Sequence, residues 1–216
     1  EPEVLANYEY VLNSFGAATN FPVGTNPVFV DVGDFDGDGI KDLAVANSNA
    51  AGGGTSGTSI LLGNATAGFN PATNLTQGGN ALAIGKFFGS NRDGLVVDNG
   101  NGSLTLFLGG LASSTNISLN PTSRANYIAA EDFNGDGLTD LAVATTRATG
   151  VPNTNSAVSI LLQNLDGTFA PPQNFLVGIF PQSIAVDDFD GNGTKDLAVT
   201  SYNAGVNIVS ILLGNG

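Results

Sequence analysis

The sequence predicts an all-β protein, a β-propeller built of four-stranded antiparallel blades. Three observations lead to this prediction. A nine-residue acidic loop occurs three times, its surroundings recur with a period of roughly 50 residues, and each period holds four short segments of strand character. Repeats of this length and strand content form blades arranged around a central axis. We expect four blades, with an N-terminal strand closing the last one.

Each repeat opens with an alternating strand that runs into the loop position, and three further strands follow it. First strands are predicted at 28–34, 80–86, 126–132 and 182–188. Second strands are predicted at 43–46, 95–97, 141–144 and 197–200. Third strands are predicted at 59–62, 104–108, 158–162 and 208–213. The fourth strands are polar and are predicted at 69–75, 115–120 and 169–175, so each blade ends in an edge that faces water.

The two ends of the chain are out of phase with the repeat. Residues 1–14 are interpreted as a leader, and residues 15–216 as one propeller domain. Its repeats span about 25–75, 76–120, 121–175 and 176–216, and the last of them is completed by 15–24. Residues 15–24 match a fourth strand, so we expect them to lie beside 208–213 and remove an open edge. Two chains sharing a larger ring, or a piece of a larger propeller, are the alternatives.

The three acidic loops have the composition of calcium sites. Oxygen side chains fall at positions 1, 3, 5 and 9, with glycine at 4 and 6, where the backbone turns. Hard cations such as Ca²⁺ take several oxygen ligands from flexible loops. We predict three Ca²⁺ sites, with the carbonyl at position 7 completing each. The predicted ligands are Asp34, Asp36, Asp38, Ile40 and Asp42; Asp132, Asn134, Asp136, Leu138 and Asp140; and Asp188, Asp190, Asn192, Thr194 and Asp196.

Two other interpretations of the loops fit these residues less well. They resemble the Asn/Asp/Gly turns of ordinary hairpins, but up to four carboxylates within nine residues repel one another without a cation. An EF-hand requires a bidentate Glu at position 12, where this chain has Val45, Val143 and Val199. Asp31, Glu131 and Asp187 lie on first strands and are expected to support the metal from outside its ligand shell.

The second repeat lacks the acidic loop. Its equivalent stretch, 86–94, has Lys86 and Phe88 at ligand positions. The simpler interpretation is that the Lys86 ammonium replaces a cation by pairing with Asp93; a functional site is the alternative.

Composition narrows the possible functions. With no cysteine and no histidine, the chain has no disulfides and lacks the commonest general base. No apolar stretch approaches the roughly 20 residues of a membrane span. The formal charge is −13, and ten of the 19 acidic residues are in the three loops. We therefore attribute most of the negative charge of the chain to the predicted metal sites and not to a basic partner. The six Lys and Arg residues are scattered singly, which disfavours nucleic-acid binding.

The repeats resemble a known family. The pair Phe15-Gly16, the loop Asp34–Asp42, the following Asp-Leu-Ala-Val and the strand Ser-Ile-Leu-Leu-Gly-Asn at 59–64 are similar to FG-GAP/VCBS repeats, the calcium-bearing blades of integrin α-subunit propellers, bacterial surface proteins and some lectins. The resemblance covers about residues 15–216. It implies a propeller with calcium, a secreted or surface location and a role in recognition or adhesion.

We therefore expect a calcium-stabilised, non-catalytic recognition, adhesion or scaffold module that binds a glycan or a protein. The alternative is the propeller portion of an extracellular carbohydrate-active enzyme, such as a polysaccharide lyase. We expect a monomer, with a shared-ring dimer as the alternative. The long connections 47–58 and 145–157 lie on the face opposite the loops, where related propellers carry ligands; neutral insertions are the alternative.

Overall fold

The computed structural model describes residues 16–48, 57–66, 68–87, 92–119, 123–147, 156–203 and 206–216. All regular structure within these ranges is β-strand. The strands form four small antiparallel sheets, each from consecutive segments of the chain. The prediction of an all-β, four-blade propeller is confirmed.

In each of the first two blades, strands that are paired in the sheet follow one another along the chain. The first blade contains β1 (Pro27–Gly33), β2 (Asp42–Asn47), β3 (Gly57–Leu61) and β6 (Thr73–Leu75), paired in that order. A separate two-stranded ladder, β4 (Gly63–Asn64) with β5 (Gly68–Phe69), lies between β3 and β6 in the chain. The second blade contains β7 (Leu82–Gly85), β8 (Gly94–Asp98), β9 (Ser103–Leu108) and β10 (Ser113–Ser118).

The third blade has four strands and the fourth blade has three. The third contains β11 (Ser123–Glu131), β12 (Asp140–Arg147), β13 (Ala157–Leu161) and β14 (Gln173–Leu176). The fourth contains β15 (Pro181–Asp187), β16 (Asp196–Asn203) and β17 (Val206–Leu212). β14 is exposed along its length, as expected of a polar outer strand.

The hydrophobic core lies between the blades. Because side chains alternate along a strand, each blade has two faces, and each face is apolar where it meets a neighbouring blade. Ala44 and Ile60 of the first blade pack in one cluster with Leu82 and Leu95 of the second. The second and third blades, and the third and fourth, share clusters of the same kind. The first strands bring the blades together: β1 packs against β7, β7 against β11, and β11 against β15.

The position of the N-terminal segment differs from the prediction. Residues 16–23 form no strand and instead lie near the first blade. The Gly24 N–H donates to Ser59 Oγ at 3.0 Å, and the Phe21 and Phe69 ring centroids are 5.3 Å apart. The sheet of the fourth blade has the order β15-β16-β17, and residues 16–24 are not among its strands. The predicted pairing beside 208–213 is therefore not formed, and residue 15 lies outside the described ranges.

Candidate metal centre

The three acidic loops occupy equivalent places in three blades. Each connects the first strand to the second, between β1 and β2, β11 and β12, and β15 and β16. The glycines at positions 4 and 6 have positive φ, for example 78° at Gly37 and 85° at Gly39. Side chains other than glycine rarely adopt this conformation, which explains the repeated spacing. The turn folds the first and ninth residues of each loop toward one another.

Three carboxylates converge in the first loop and in the third. In each group, one oxygen atom from each carboxylate lies within 4.8 Å of the others. The groups are Asp34, Asp36 and Asp42, and Asp188, Asp190 and Asp196. Two oxygens bound to one Ca²⁺ at about 2.3–2.6 Å are at most about 5 Å apart, so each group fits a single ion. The structure thus brings together loop positions 1, 3 and 9.

The second loop has the same backbone geometry with one carboxylate fewer. Asp132 accepts hydrogen bonds from Gly135 N–H at 2.7 Å and Gly137 N–H at 2.8 Å, as Asp34 does from its own two glycines. Asn134 stands at position 3 and offers an amide oxygen, which accepts from the Asp136 N–H at 3.0 Å. At positions 1, 3 and 9 this loop therefore offers two carboxylates, Asp132 and Asp140, and its third carboxylate, Asp136, stands at position 5.

The aspartate at position 9 is fully buried in all three loops and joins two parts of its blade. Asp42 accepts from the Phe35 N–H at 2.7 Å and from the Gly63 N–H at 2.8 Å, which lies just beyond β3. Asp140 and Asp196 make equivalent pairs of bonds, to Phe133 and Gln163 and to Phe189 and Gly214. Sequence reasoning missed these donors, although Gly63, Gln163 and Gly214 each follow a repeated Ser-Ile-Leu-Leu segment.

Burial affects the charge of the position 9 carboxyls. Burial raises the pKa of Asp42 and of Asp140 above the ordinary value, and the N–H donors oppose it only in part. Neighbouring loop carboxylates raise both further. At position 1 of the third loop the balance is reversed: the Gly193 N–H, the largest cause, lowers the pKa of Asp188. A cation would stabilise the ionised form of every carboxylate in these groups.

Position 5 does not join the carboxylate groups. Asp38 is exposed, and its Oδ1 accepts from the Ile40 N–H at 2.7 Å. Asp136 and Asn192 are likewise bonded to the backbone N–H two residues later. These side chains fold onto their own loop. The carbonyls of Ile40, Leu138 and Thr194 at position 7 stay a prediction.

The residues expected to support the loops behave differently from one another. The Asp187 carboxylate accepts from the Asp188 N–H at 2.9 Å, so it touches the backbone of a predicted ligand. Asp31 accepts from Val32 N–H within its own strand. Among the described residues, the Glu131 carboxylate makes no hydrogen bond to a loop.

The second blade contributes to the first loop, and the predicted pairing of Lys86 with Asp93 is wrong. Asp93 Oδ2 accepts from the Asp34 N–H at 2.9 Å, and the Asp93 N–H donates to the Asp34 carbonyl at 3.0 Å. Within the described ranges, the ammonium group that pairs with Asp93 is that of Lys41, at 3.9 Å. Lys86 is exposed, and Phe88 lies outside the described residues. The two blades are thus linked at position 1 of the first loop.

Part of the chain is similar to a known family. Residues 132–199 match the family described as FG-GAP-like repeat. The matched segment begins at the first position of the second loop, includes the whole third loop and ends within β16. None of the described segments forms a helix with the length and apolarity that crossing a membrane requires.

Proposed function

From a chain that carries FG-GAP-like repeats and folds as a four-blade β-propeller, we propose a calcium-stabilised, non-catalytic recognition or scaffold module of a secreted or surface protein. Its partner is a glycan or a protein. A propeller of this kind is in general a binding or scaffold unit. The binding of calcium, the secreted or surface location and the class of partner are our proposal.

Calcium binding is supported above all by the convergence of carboxylates at positions 1, 3 and 9. Three carboxylates with oxygens within 4.8 Å repel one another strongly, and a divalent cation removes that repulsion. Oxygen-only ligands favour Ca²⁺ or Mg²⁺ over softer metals. The loops use small Asx turns and glycines, which suits the irregular shell of Ca²⁺ better than the strict octahedron of Mg²⁺.

Each ion would stabilise the hairpin that holds it. The ligand at position 9 is bonded to the chain just after the third strand, as Asp42 is to Gly63, so an ion at the loop also secures that end of the blade. Binding to the folded state alone adds RT ln(1 + [L]/Kd), about 2.7 kcal/mol per site at a hundredfold excess over Kd. Extracellular calcium levels suit loops of modest affinity.

A non-catalytic role is supported by the use of the acidic residues. Among the described residues, both groups of three acids belong to the loops. The chain contains no histidine or cysteine that would serve as base or nucleophile. The face opposite the loops is proposed to receive the partner; residues 49–56 and 148–155 of its long connections lie outside the described ranges.

Metal counting tests the proposal directly. Native mass spectrometry of the chain with Ca²⁺ should find three ions, and Asp36→Ala should remove one and leave two. Asp166→Ala, in an exposed turn between β13 and β14, is the matched control and should leave three. Chelation should lower the melting temperature, and Mg²⁺ should restore it poorly. Three ions in Asp36→Ala, or an unchanged melting curve after verified metal removal, would contradict the proposal.

A further inference from the structure

Every junction between consecutive blades uses the same two surfaces. The leading face of a blade is the one that meets the preceding blade in the chain, and it carries Val30 or the equivalent first-strand residue. The trailing face meets the following blade, and it carries the phenylalanine at loop position 2 and Ile60 or the equivalent third-strand residue. At the three junctions these residues belong to the shared clusters, in which the trailing face of one blade packs against the leading face of the next.

The leading face of the first blade is uncovered. The residues equivalent to Val30 in the next three blades are almost completely buried: Leu82 is 1% exposed, Ile128 3% and Ile184 4%. Val30 itself is 56% exposed. The same strand position is therefore buried wherever a preceding blade covers it.

The trailing face of the fourth blade is uncovered in the same way. Phe35 is 1% exposed at its junction, whereas the equivalent Phe189 is 47% exposed. Ile60 is 3% exposed, whereas the equivalent Ile211 is 54% exposed. The first and fourth blades thus present two exposed faces that correspond to the two halves of a junction.

Within the described ranges, the fourth blade also has no outer strand. In the other three blades a hydroxyl on the third strand donates to an asparagine on the fourth: Ser59 to Asn74 at 2.6 Å, Thr105 to Asn116 at 3.0 Å, and Ser159 to Asn174 at 2.6 Å. The register places Ser210 of β17 at the equivalent position. The segment Asn20-Phe-Pro-Val-Gly24 matches Asn174–Gly178, which leads from β14 into the next blade.

We propose that two copies of this chain join head to tail, with the trailing face of each fourth blade on the leading face of the partner's first blade. Residues 20–23 of each copy would then add to β17 of the other as its fourth strand, which removes the open edge. The two contacts are identical and heterologous, and such contacts close a ring when the rotation allows it. Propellers typically have four to eight blades, and two copies of these four blades would give a ring within that range.

The existing junctions show which positions meet at such a contact. A Cβ atom placed on Gly33 would lie 2.9 Å from Ile84 and 3.3 Å from Asp93 of the next blade. A Cβ atom placed on the equivalent Gly85 would lie 2.8 Å from Thr139. At these two junctions, the last position of the first strand thus faces the residue before loop position 9 in the following blade.

At the proposed contact these two positions carry opposite charges. The register makes Asp187 the equivalent of Gly33, and Lys41 is the equivalent of Asp93. Asp187 is exposed, and the Lys41 side chain is 67% exposed despite its long pairing with Asp93. The copies would therefore be complementary in charge as well as apolar, which fixes the orientation of the contact.

Light scattering of the full chain with Ca²⁺ tests the proposal through mass. The expected mass is twice the 21.8 kDa of one chain. Val30→Glu and Ile211→Glu, one on each end face, should each give the single-chain mass while circular dichroism shows intact strands. Leu165→Glu is the matched control, because Leu165 is 76% exposed away from both faces, and it should remain dimeric.

Charge exchange tests the orientation without relying on core substitutions. Lys41→Glu and Asp187→Lys should each raise the dimer dissociation constant about tenfold, and the double variant should return it to near the original value. A wild-type chain that stays at 21.8 kDa at all concentrations would overturn the proposal. Long open-ended polymers, or a dimer indifferent to Val30→Glu and Ile211→Glu, would overturn it as well.

Discussion

At the scale of single residues, the aspartate at position 9 has a role that differs from that of the other predicted ligands. Asp42 is completely buried and holds two backbone N–H groups from different parts of the blade, whereas Asp38 is exposed and bonds only to its own loop. Both side chains looked alike in the sequence. Asp42 is expected to stabilise the fold with or without metal, and Asp38 only through the metal.

Asp42→Ala is therefore expected to destabilise the protein even in a chelator. Two buried N–H groups would lose their acceptor, at about 1–3 kcal/mol each, so we expect a loss on the order of 2–6 kcal/mol. Asp38→Ala, the matched control, should change the free energy of unfolding by less than about 0.5 kcal/mol under the same conditions. Urea unfolding monitored by circular dichroism measures both. Equal losses for the two variants would contradict this distinction.

A second residue-scale prediction concerns Asp98, which the sequence did not single out. It ends β8, is 1% exposed and accepts from the Ala125 N–H of the third blade at 3.4 Å. Burial raises its pKa from 3.8 to about 6. The folded state thus binds this proton more tightly than the unfolded state, so the cost of the buried carboxylate is present above pH 6 and disappears as the pH falls toward 3.8.

Comparison with Asp98→Asn isolates this effect, because all other titrating groups are shared. Between pH 7 and pH 5 the wild type should gain about 1.3 kcal/mol of unfolding free energy relative to the variant. In the exposed Asp166, hydrogen bonds from the Thr168 hydroxyl and N–H lower the pKa, so Asp166→Asn should leave the corresponding difference flat in this range. A flat difference for Asp98→Asn would show that the carboxyl is not buried as described.

At the scale of elements, the loop without ligands in the second blade supports the loop of the first blade. The Asp93 carboxylate accepts a hydrogen bond from the N–H of Asp34, the residue at position 1, and the Asp93 N–H donates to the Asp34 carbonyl. Groups that orient a metal ligand commonly change affinity 10- to 100-fold when removed. The contact of Asp93 with Asp34 thus gives a structural reason why the loop of the second blade departs from the acidic pattern.

Asp93→Ala is expected to weaken calcium binding at the first loop by roughly 10- to 100-fold and to leave the other two loops unchanged. Thr139→Ala, at the equivalent position of the third blade, is the matched control. The Thr139 hydroxyl donates to the Lys86 carbonyl in the loop without ligands, so its removal should not affect binding. Isothermal titration calorimetry resolves the weakened site. Unchanged affinity at all sites in Asp93→Ala would refute the link.

At the scale of the whole molecule, electrostatic repulsion follows from a formal charge of −13. Three bound Ca²⁺ ions would reduce it to about −7 and would neutralise it where the density of carboxylates is greatest. The metal-free chain should therefore be the form that depends on screening by salt.

In a chelator, raising NaCl from low to high concentration is expected to raise the melting temperature, because salt screens the repulsion among the loop carboxylates. With saturating Ca²⁺ the same increase in salt should have a much smaller effect, since the ions have already removed most of that repulsion. Differential scanning fluorimetry of both forms measures this. Equal salt dependence with and without Ca²⁺ would contradict the assigned role of the loops.

Much of the fold and of the candidate site could be predicted from local sequence. Alternating apolar residues located the first strands, because side chains on a strand have a period of two. Glycines at positions 4 and 6 predicted the sharp turn, and they have positive φ in all three loops. The convergence of Asp34, Asp36 and Asp42 follows from that turn, since all its residues lie in one short segment.

By itself, the sequence determined the repeat, the strands within each blade and the loops that bring oxygen ligands together, because each is encoded over a few neighbouring residues. Tertiary structure alone decided that Asp93 meets Asp34, that Asp98 is buried between blades, and that Val30 and Ile211 remain uncovered at the ends. The physical reason is distance along the chain. Contacts between blades depend on how whole sheets pack, and no local pattern records which sheet will stand beside another.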